Sequence, residues 1–249
     1  MKHAEKNRFA RTGVCRNVCM GLRLGALAVS LALCGLLAGC GSNGADPAEK
    51  AIVDDVAAGV EAYDSVLSAL GVDPQTGVVE GGGEVSEGLR HPVQTDLTPV
   101  TLERVVDGDT IVVEMNGTRE RVRLIGINTP ESVAPEQERN TEEGKDASSF
   151  LEANVEAGDC LWLMFDTDVT DRYDRLLAYV WTAVPDDFTD PDEVAAKMLN
   201  GFMASEGYAV VHAYKPNDAY CDILHDLADD AEAAGRGLWA DGSDWAEGI

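Results

Sequence analysis

Asp107 and Asp109 stand either side of a single glycine, so their two carboxylates lie on one side of a turn and converge as oxygen ligands for a hard cation. Taken alone, Asp-Gly is also ordinary turn chemistry. Further along, Arg119, Arg121 and Arg123 alternate with other residues, which puts three guanidinium groups on one face of a strand. A solvated edge strand would look the same. That strand runs out in Asn128-Thr129-Pro130-Glu131, a carboxylate on a proline-stiffened turn, which by itself is a common strand exit. The combination is more informative than its parts. A cation and arginines neutralise charge growing on phosphoryl oxygens, and a carboxylate takes a proton from attacking water, which is the chemistry of phosphodiester hydrolysis.

One hairpin would bring these groups together. Val100, Leu102, Val105 and Val106, then Ile111, Val112 and Val113, flank the Asp107–Thr110 turn as two β-branched runs. Asn116-Gly117 is the strongest short hairpin signal and feeds Arg119 to Ile127, giving a three-strand meander from Thr98 to Ile127. The pattern predicts a helix over Glu142–Ala157, strands over Cys160–Phe165 and Leu176–Trp181, and helices over Pro191–Glu206 and Asn217–Ala234, the last closed by Gly235-Arg236-Gly237. Three strands, a helix, two strands and two helices fit a five-stranded barrel with three helices, a mainly β fold with α. Asp166-Thr-Asp-Val-Thr-Asp superficially suggests a calcium loop, but it lacks glycine at loop position six and glutamate at twelve, where Leu177 stands.

The chain has 249 residues, with 19 Lys+Arg against 45 Asp+Glu and a net charge of −26. That balance argues against binding a polyanion, because phosphate contacts are made by Lys and Arg. The charge is unevenly spread. Six basic residues and one acid precede Cys40, and a charge-free stretch from Leu24 to Gly39 ends in Leu37-Ala38-Gly39-Cys40. A basic start, a short apolar run and small residues describe an export signal, and the run is shorter than the ~20 residues of a spanning helix. The tetrapeptide resembles the bacterial lipobox, whose cysteine becomes the lipidated first residue. An ordinary signal peptide containing a cysteine, or an uncleaved anchor, is the plainer reading. With a lipobox the protein is exported and membrane-anchored through Cys40. Cleavage leaves 13 Lys+Arg against 44 Asp+Glu, a net −31.

Residues 1–39 are therefore expected to be a lipoprotein signal peptide. Residues 40–97 would hold a polar tether, an amphipathic lead-in helix over 47–70 and a glycine-rich acidic linker over 75–88. Residues 98–249 would form the barrel domain. Cys160 and Cys221 would face an oxidising compartment, and a bridge between them would stabilise by roughly 4 kcal/mol. Their spacing leaves open whether they meet. Nothing in the cysteine and histidine spacing suggests a zinc site.

Five blocks carry a family resemblance: V-x-D-G-D-T at Val105–Thr110, R-L-I-G-I-N-T-P-E at Arg123–Glu131, D-R-Y-D-R-L-L-A-Y at Asp171–Tyr179, A-Y-K-P-N at Ala213–Asn217 and G-R-G-L-W at Gly235–Trp239. In this order and spacing the chain resembles the staphylococcal nuclease (thermonuclease) family, from about Val100 to Ala240. The resemblance implies an OB-fold barrel with three helices and Ca²⁺-dependent cleavage of DNA and RNA to 3′-phosphorylated ends. It also implies roles. Asp109, Asn128 and the Thr129 carbonyl would be metal ligands, with Asp107 behind them. Glu131 would activate water, Arg123 and Arg175 would bind phosphate, and Tyr173 and Tyr214 would line the nucleotide site. Departures from the family pattern are Asn128 for an aspartate, His212 for a nucleotide-site tyrosine, Asp174 for a glycine, and an acidic insertion over 184–193. Asn128 keeps an oxygen ligand but removes a charge, so Ca²⁺ would bind more weakly or need help from Asp107. The expected protein is thus a monomeric, lipid-anchored nuclease. The alternative is a catalytically weak or inactive OB-fold module that binds nucleic acid or protein, since a fold alone does not imply cleavage. Retention of Arg123, Glu131 and Arg175 together favours the enzyme.

An acidic protein acting on a polyanion is repelled by its substrate most strongly at low salt, because the Debye length falls from about 10 Å at 0.1 M to about 3 Å at 1 M. Cleavage rates at saturating Ca²⁺ are expected to hold or rise between about 50 and about 300 mM NaCl, where the Debye length shortens. A steep fall over that interval would contradict this.

Overall fold

The computed structural model describes residues 78, 83–132, 140–240, 242 and 245–246. The export signal, Cys40 and the lead-in helix over 47–70 lie outside the described residues.

Two short strands, β1 (Glu84–Val85) and β2 (Val93–Gln94), pair with each other ahead of the barrel. The barrel is built from β3 (Thr98–Asp107), β4 (Thr110–Met115) and β5 (Thr118–Leu124), joined further along the chain by β7 (Cys160–Thr170) and β8 (Leu176–Trp181). It closes in the order β3-β4-β5-β8-β7, with the parallel pair β5–β8 as the seam. The five strands are those of the expected barrel. Val100, Leu102, Ile111, Val113, Val122, Leu124, Leu161, Leu163 and Val180 are buried in one core. At the β4–β5 turn Asn116 (φ 52°) and Gly117 (φ 79°) are both left-handed, as a two-residue hairpin loop requires. The β3–β4 register shifts between Leu102 and Arg104 and again between Val105 and Asp107. Such bulges bend a strand and re-aim its end, and here the end is Asp107.

A third short strand outside the barrel, β6 (Gly126–Asn128), pairs antiparallel with β9 (Val210–His212). Nothing in the sequence pattern singled out this two-stranded extension, because three residues are too few to show a period.

The helices are α1 (Glu142–Asn154), α2 (Pro191–Lys197), α3 (Leu199–Ser205) and α4 (Cys221–Ala233). The single helix expected over Pro191–Glu206 is two. Met198 between them is extended (φ −100°, ψ 123°) and forms a bridge to Trp181, the last residue of β8. The backbone of Lys197 also accepts a 2.7 Å bond from Thr182 N. An unbroken helix would forfeit this attachment to the barrel. A Cβ on Gly201 would collide with the Val194 carbonyl, so glycine permits the close approach of α3 to α2. Asn200, fully buried on α3, donates to Ile125 O at 2.8 Å and accepts from Val180 N at 2.9 Å, tying α3 to the strands on either side of the seam.

Two further points concern the expected boundaries and bridge. Val93 and Leu97 are buried in the core, and Arg90 N donates to Ala219 O at 3.0 Å, so described residues ahead of the expected start at 98 already pack on the barrel. The possible Cys160–Cys221 bridge does not form, since Cys221 is a free, buried thiol. Cys160 opens β7, whereas Cys221 opens α4 two residues after Ala219, whose N–H donates to Asp166 on the same strand. Six residues of strand span roughly 20 Å, far beyond disulfide reach. Burial lifts the Cys221 thiol to about 11, and the neighbouring acids Asp218, Asp222 and Asp166 add to the rise while Arg90 opposes it.

Candidate active site

Arg123 sits at the end of β5, only 7% exposed, facing Asp109, which is 8% exposed. Its register partner across the β4–β5 pair is Thr110, so the strand pairing itself brings the arginine beside Asp109. The guanidinium Nη2 lies 3.0 Å from Asp109 Oδ2 and donates to Asn128 Oδ1 at 2.9 Å. Its Nη1 donates to the Leu124 carbonyl at 2.7 Å. One buried cation thus draws the β3–β4 turn and the end of β6 together. The Asp109 carboxylate also receives Thr110 Oγ1 at 3.0 Å and Thr129 N at 3.2 Å.

The other two arginines of the alternating triplet do not reach this place. Arg119 and Arg121 are exposed, and Arg119 is held by Glu103 at 2.6 Å across the sheet. Each step of two residues along a strand moves the side chain about 6.6 Å, so period two sets the face but carries them towards the far hairpin. The expectation of a shared arginine face at the site therefore reduces to Arg123.

Asp107 is buried and acts as a post for the loop that carries Glu131. It accepts from Gly108 N at 2.9 Å, from Ser132 Oγ at 2.9 Å and from Ser148 Oγ at 3.0 Å. Ser132 follows Glu131 directly, and Ser148 is on α1. The N-terminus of α1 supports the same loop from below. Thr141 caps the helix by accepting from Gly144 N at 3.0 Å, and Thr141 N donates to Glu131 O at 3.0 Å. A Cβ on Gly144 would collide with the Glu131 carbonyl, so only glycine lets the helix approach this closely. Glu131 itself is exposed on this fixed backbone. The sequence named Asp107 and Glu131 but not Thr141, Gly144, Ser132 or Ser148. The T-x-x-G spacing of a helix start was the one signal present.

Arg175 comes from the β7–β8 hairpin. Arg175 immediately precedes β8, whose Leu177 is the register partner of Arg123. Its Nε and Nη2 both lie 2.7 Å from Asp171 Oδ2, a fork on a single oxygen. Asp171 Oδ1 accepts from Tyr173 N at 2.8 Å and Arg175 N at 3.0 Å. Burial works to raise the Asp171 carboxyl, but the bonds from Arg175 and Tyr173 together outweigh it and hold the group below the usual carboxylate range. Asp174, in a glycine's place, adopts φ 59°, a left-handed conformation that aspartate tolerates better than most side chains.

The two tyrosines expected at the nucleotide site are exposed. Tyr173 is 62% exposed, with the Arg172 guanidinium 4.7 Å from its ring centre and Arg175 at 5.6 Å. Arg172, not singled out by the sequence, adds a second guanidinium beside this ring. Tyr214 is 47% exposed and lies against His212, ring centres 4.1 Å apart. Exposed, partly supported rings beside cations are platforms for flat, anionic ligands.

The residues suited to a metal carry oxygen only: the Asp109 carboxylate, the Asn128 amide oxygen and Thr129. Among the described residues no three His, Cys, Asp or Glu side chains form a cation cage. The set nonetheless fits a hard cation, because Thr129 Oγ1 is buried with no hydrogen-bond partner and the donors around it are the type such ions take. A Cβ on Gly108 would sit 2.9 Å from Thr129 Cγ2 and Oγ1, so glycine in the Asp-Gly-Asp turn leaves the threonine its place.

Residues 121–241 match the family model described as staphylococcal nuclease homologue. The chain is 35% identical to the thermonuclease of Staphylococcus intermedius over 138 residues, 55% of this chain and 74% of that one. It is 33% identical to the thermonuclease of Staphylococcus hyicus over 137 residues, 55% and 73% of the two chains. It is 35% identical to endonuclease YncB of Bacillus subtilis (strain 168) over 149 residues, 59% and 64% of the two.

Because the Asp171 carboxyl is depressed in the folded state, its contribution to stability is complete above the unfolded value of about 3.9 and is lost as pH falls through the folded value. Asp171→Asn should therefore lower stability at pH 7 and make no difference at the acid end of the range. Urea unfolding of both proteins across this range checks it, and equal differences at every pH would contradict the assignment.

Proposed function

Since the chain belongs to the staphylococcal nuclease family, we propose that it hydrolyses phosphodiester bonds of DNA and RNA with Ca²⁺ at the site around Arg123. It is a nuclease, and the observation that carries the site assignment is Arg123 bound at once to Asp109 and Asn128. Arg123 near the end of β5 and Arg175 just ahead of its parallel partner β8 supply fixed positive charge to the phosphoryl oxygens. Arg123 is positioned by buried acceptors and Arg175 by Asp171, so neither has to be ordered when substrate arrives. Glu131, exposed on a backbone locked through Ser132, Thr141 and Gly144, accepts the proton of the attacking water. The water oxygen bonds to phosphorus as the P–O bond to the 5′ oxygen breaks; that oxygen takes a proton from solvent, and the phosphate stays on the 3′ end. Tyr173, Tyr214 and His212 hold the flanking nucleotides by stacking.

Asp109, Asn128 and the Thr129 carbonyl would hold the Ca²⁺, which when bound neutralises phosphate charge as a Lewis acid. With one carboxylate replaced by an amide, affinity for the ion is reduced. A single chain provides every group named, so the monomer suffices. Leu37-Ala38-Gly39-Cys40 supports an exported, lipid-anchored protein that meets nucleic acid outside the cell.

The test is cleavage of plasmid DNA and of RNA by the full chain, with Ca²⁺ and with chelator, beside Glu131→Gln and Arg175→Ala. Chelation should abolish cleavage, and each substitution should lower kcat/KM by roughly 10²- to 10⁴-fold. Absence of Ca²⁺-dependent cleavage by the wild-type protein would overturn the activity. Equal rates for wild type and Arg175→Ala would overturn the site.

A further inference from the structure

Ahead of the residues that the family model matches, Arg90 and His91 reach across to the loop that carries Tyr214. Arg90 N donates to the Ala219 carbonyl at 3.0 Å. Its guanidinium is 2.6 Å from Asp222 Oδ1 through Nη2 and 3.3 Å from Asp218 Oδ2 through Nη1. His91 Nε2 lies 3.0 Å from the Pro216 carbonyl, 3.4 Å from Asp166 Oδ1 and 3.5 Å from Asp218 Oδ1. Every one of these acceptors except Asp166 belongs to residues 216–222, which begin two residues after Tyr214.

The opposite side of the same loop is fixed by Asn217. Its amide donates to Asp168 O at 2.7 Å and accepts from Asp168 N at 2.7 Å, and Asn217 N donates to Tyr214 O at 2.7 Å. Asp168 lies on β7 just before the hairpin that carries Tyr173 and Arg175. The loop is therefore held between β7 and the Arg90–His91 segment. Asp166 and Asp218, brought close here, need compensation. Asp166 accepts from Tyr179 Oη at 3.2 Å and from Ala219 N at 3.3 Å, whereas Asp218 is met by Arg90 and His91. Two carboxylates with one arginine and one imidazole between them give a joint whose strength depends on those two residues.

We propose that Arg90 and His91 are positioning residues for substrate: they clamp residues 214–219 and thereby hold the Tyr214 ring where a nucleotide stacks. The proposal rests on the reading of Tyr214 as part of the nucleotide site. Neither residue touches substrate, so removing the clamp weakens binding and leaves the reacting groups at Arg123, Glu131 and Arg175 in place. Kinetically that is a rise in KM with kcat preserved.

The experiment has two arms, both on the full chain. Hydrogen exchange without substrate compares wild type, Arg90→Ala and His91→Ala. Kinetics with Ca²⁺ and a short single-stranded DNA compare the same proteins and Arg90→Lys. Expected are faster exchange confined to amides 213–219 in both alanine variants and a KM raised roughly three- to ten-fold, the scale of about 1 kcal/mol, with kcat within about twofold. Arg90→Lys should recover part of the affinity. Unchanged exchange and KM in both variants would overturn the clamp, as would kcat falling together with faster exchange through the whole barrel in both. Should Arg90→Ala fail to fold, His91→Ala carries the same two readouts. If the wild-type chain does not cleave DNA, the nuclease reading falls, while exchange still decides whether the clamp exists.

Discussion

A guanidinium withdrawn from water is costly unless its donors are met, and the way Arg123 meets that requirement organises the rest of the site. Its acceptors are Asp109 from the β3–β4 turn, the Leu124 carbonyl at its own strand end and Asn128 from β6. Three separate pieces of chain are drawn to one point by a single side chain. Asp109 Oδ2 and Asn128 Oδ1 are both engaged by Arg123, so a cation binding to those oxygens and a phosphate drawing on the arginine would replace a protein contact with two ligand contacts. The buried Thr129 Oγ1, left without a partner, marks the same place as the one where polar valence is still open.

Around this point the fold adds rigidity rather than further chemistry. Asp107 is adjacent to the Asp109 turn, yet its bonds run outward to Ser132 and Ser148 and it serves the Glu131 loop. Helix α1 presses its first turn under the same loop, at a distance that only Gly144 allows. Asp171 does for Arg175 what the buried acceptors do for Arg123. Precise placement of a few charged groups is worth more to catalysis than their number. This is also how a strongly acidic chain could serve a polyanionic substrate: a few guanidinium groups, Arg123 and Arg175 among them, are each held in place by a fixed acid.

Much of this was legible in the residues. Period-two alternation and Asn116-Gly117 gave the meander its strands and its turn, and the Asp-Gly-Asp and Asn-Thr-Pro-Glu blocks held the groups that Arg123 and α1 position. What stayed hidden is long-range. Met198 continues an apolar helical pattern, and only its bridge to Trp181 breaks the helix there. Residues 83–97 follow a glycine-rich acidic stretch and look like its continuation, but Val93 and Leu97 find the core and Arg90 finds two aspartates well over a hundred residues away. Ser148 meets Asp107 through tertiary packing that local spacing does not encode. The arginine triplet shows the opposite failing: a real periodicity that fixes the face but not the position along the strand.

The most direct measurement is a crystal structure of the chain with Ca²⁺ and a nucleoside 3′,5′-bisphosphate. Expected is the ion on Asp109, Asn128 Oδ1 and the Thr129 carbonyl, with one phosphate between Arg123 and Arg175 and the base against Tyr214. An ion bound away from Asp109, or a phosphate that contacts neither arginine, would contradict the site described above.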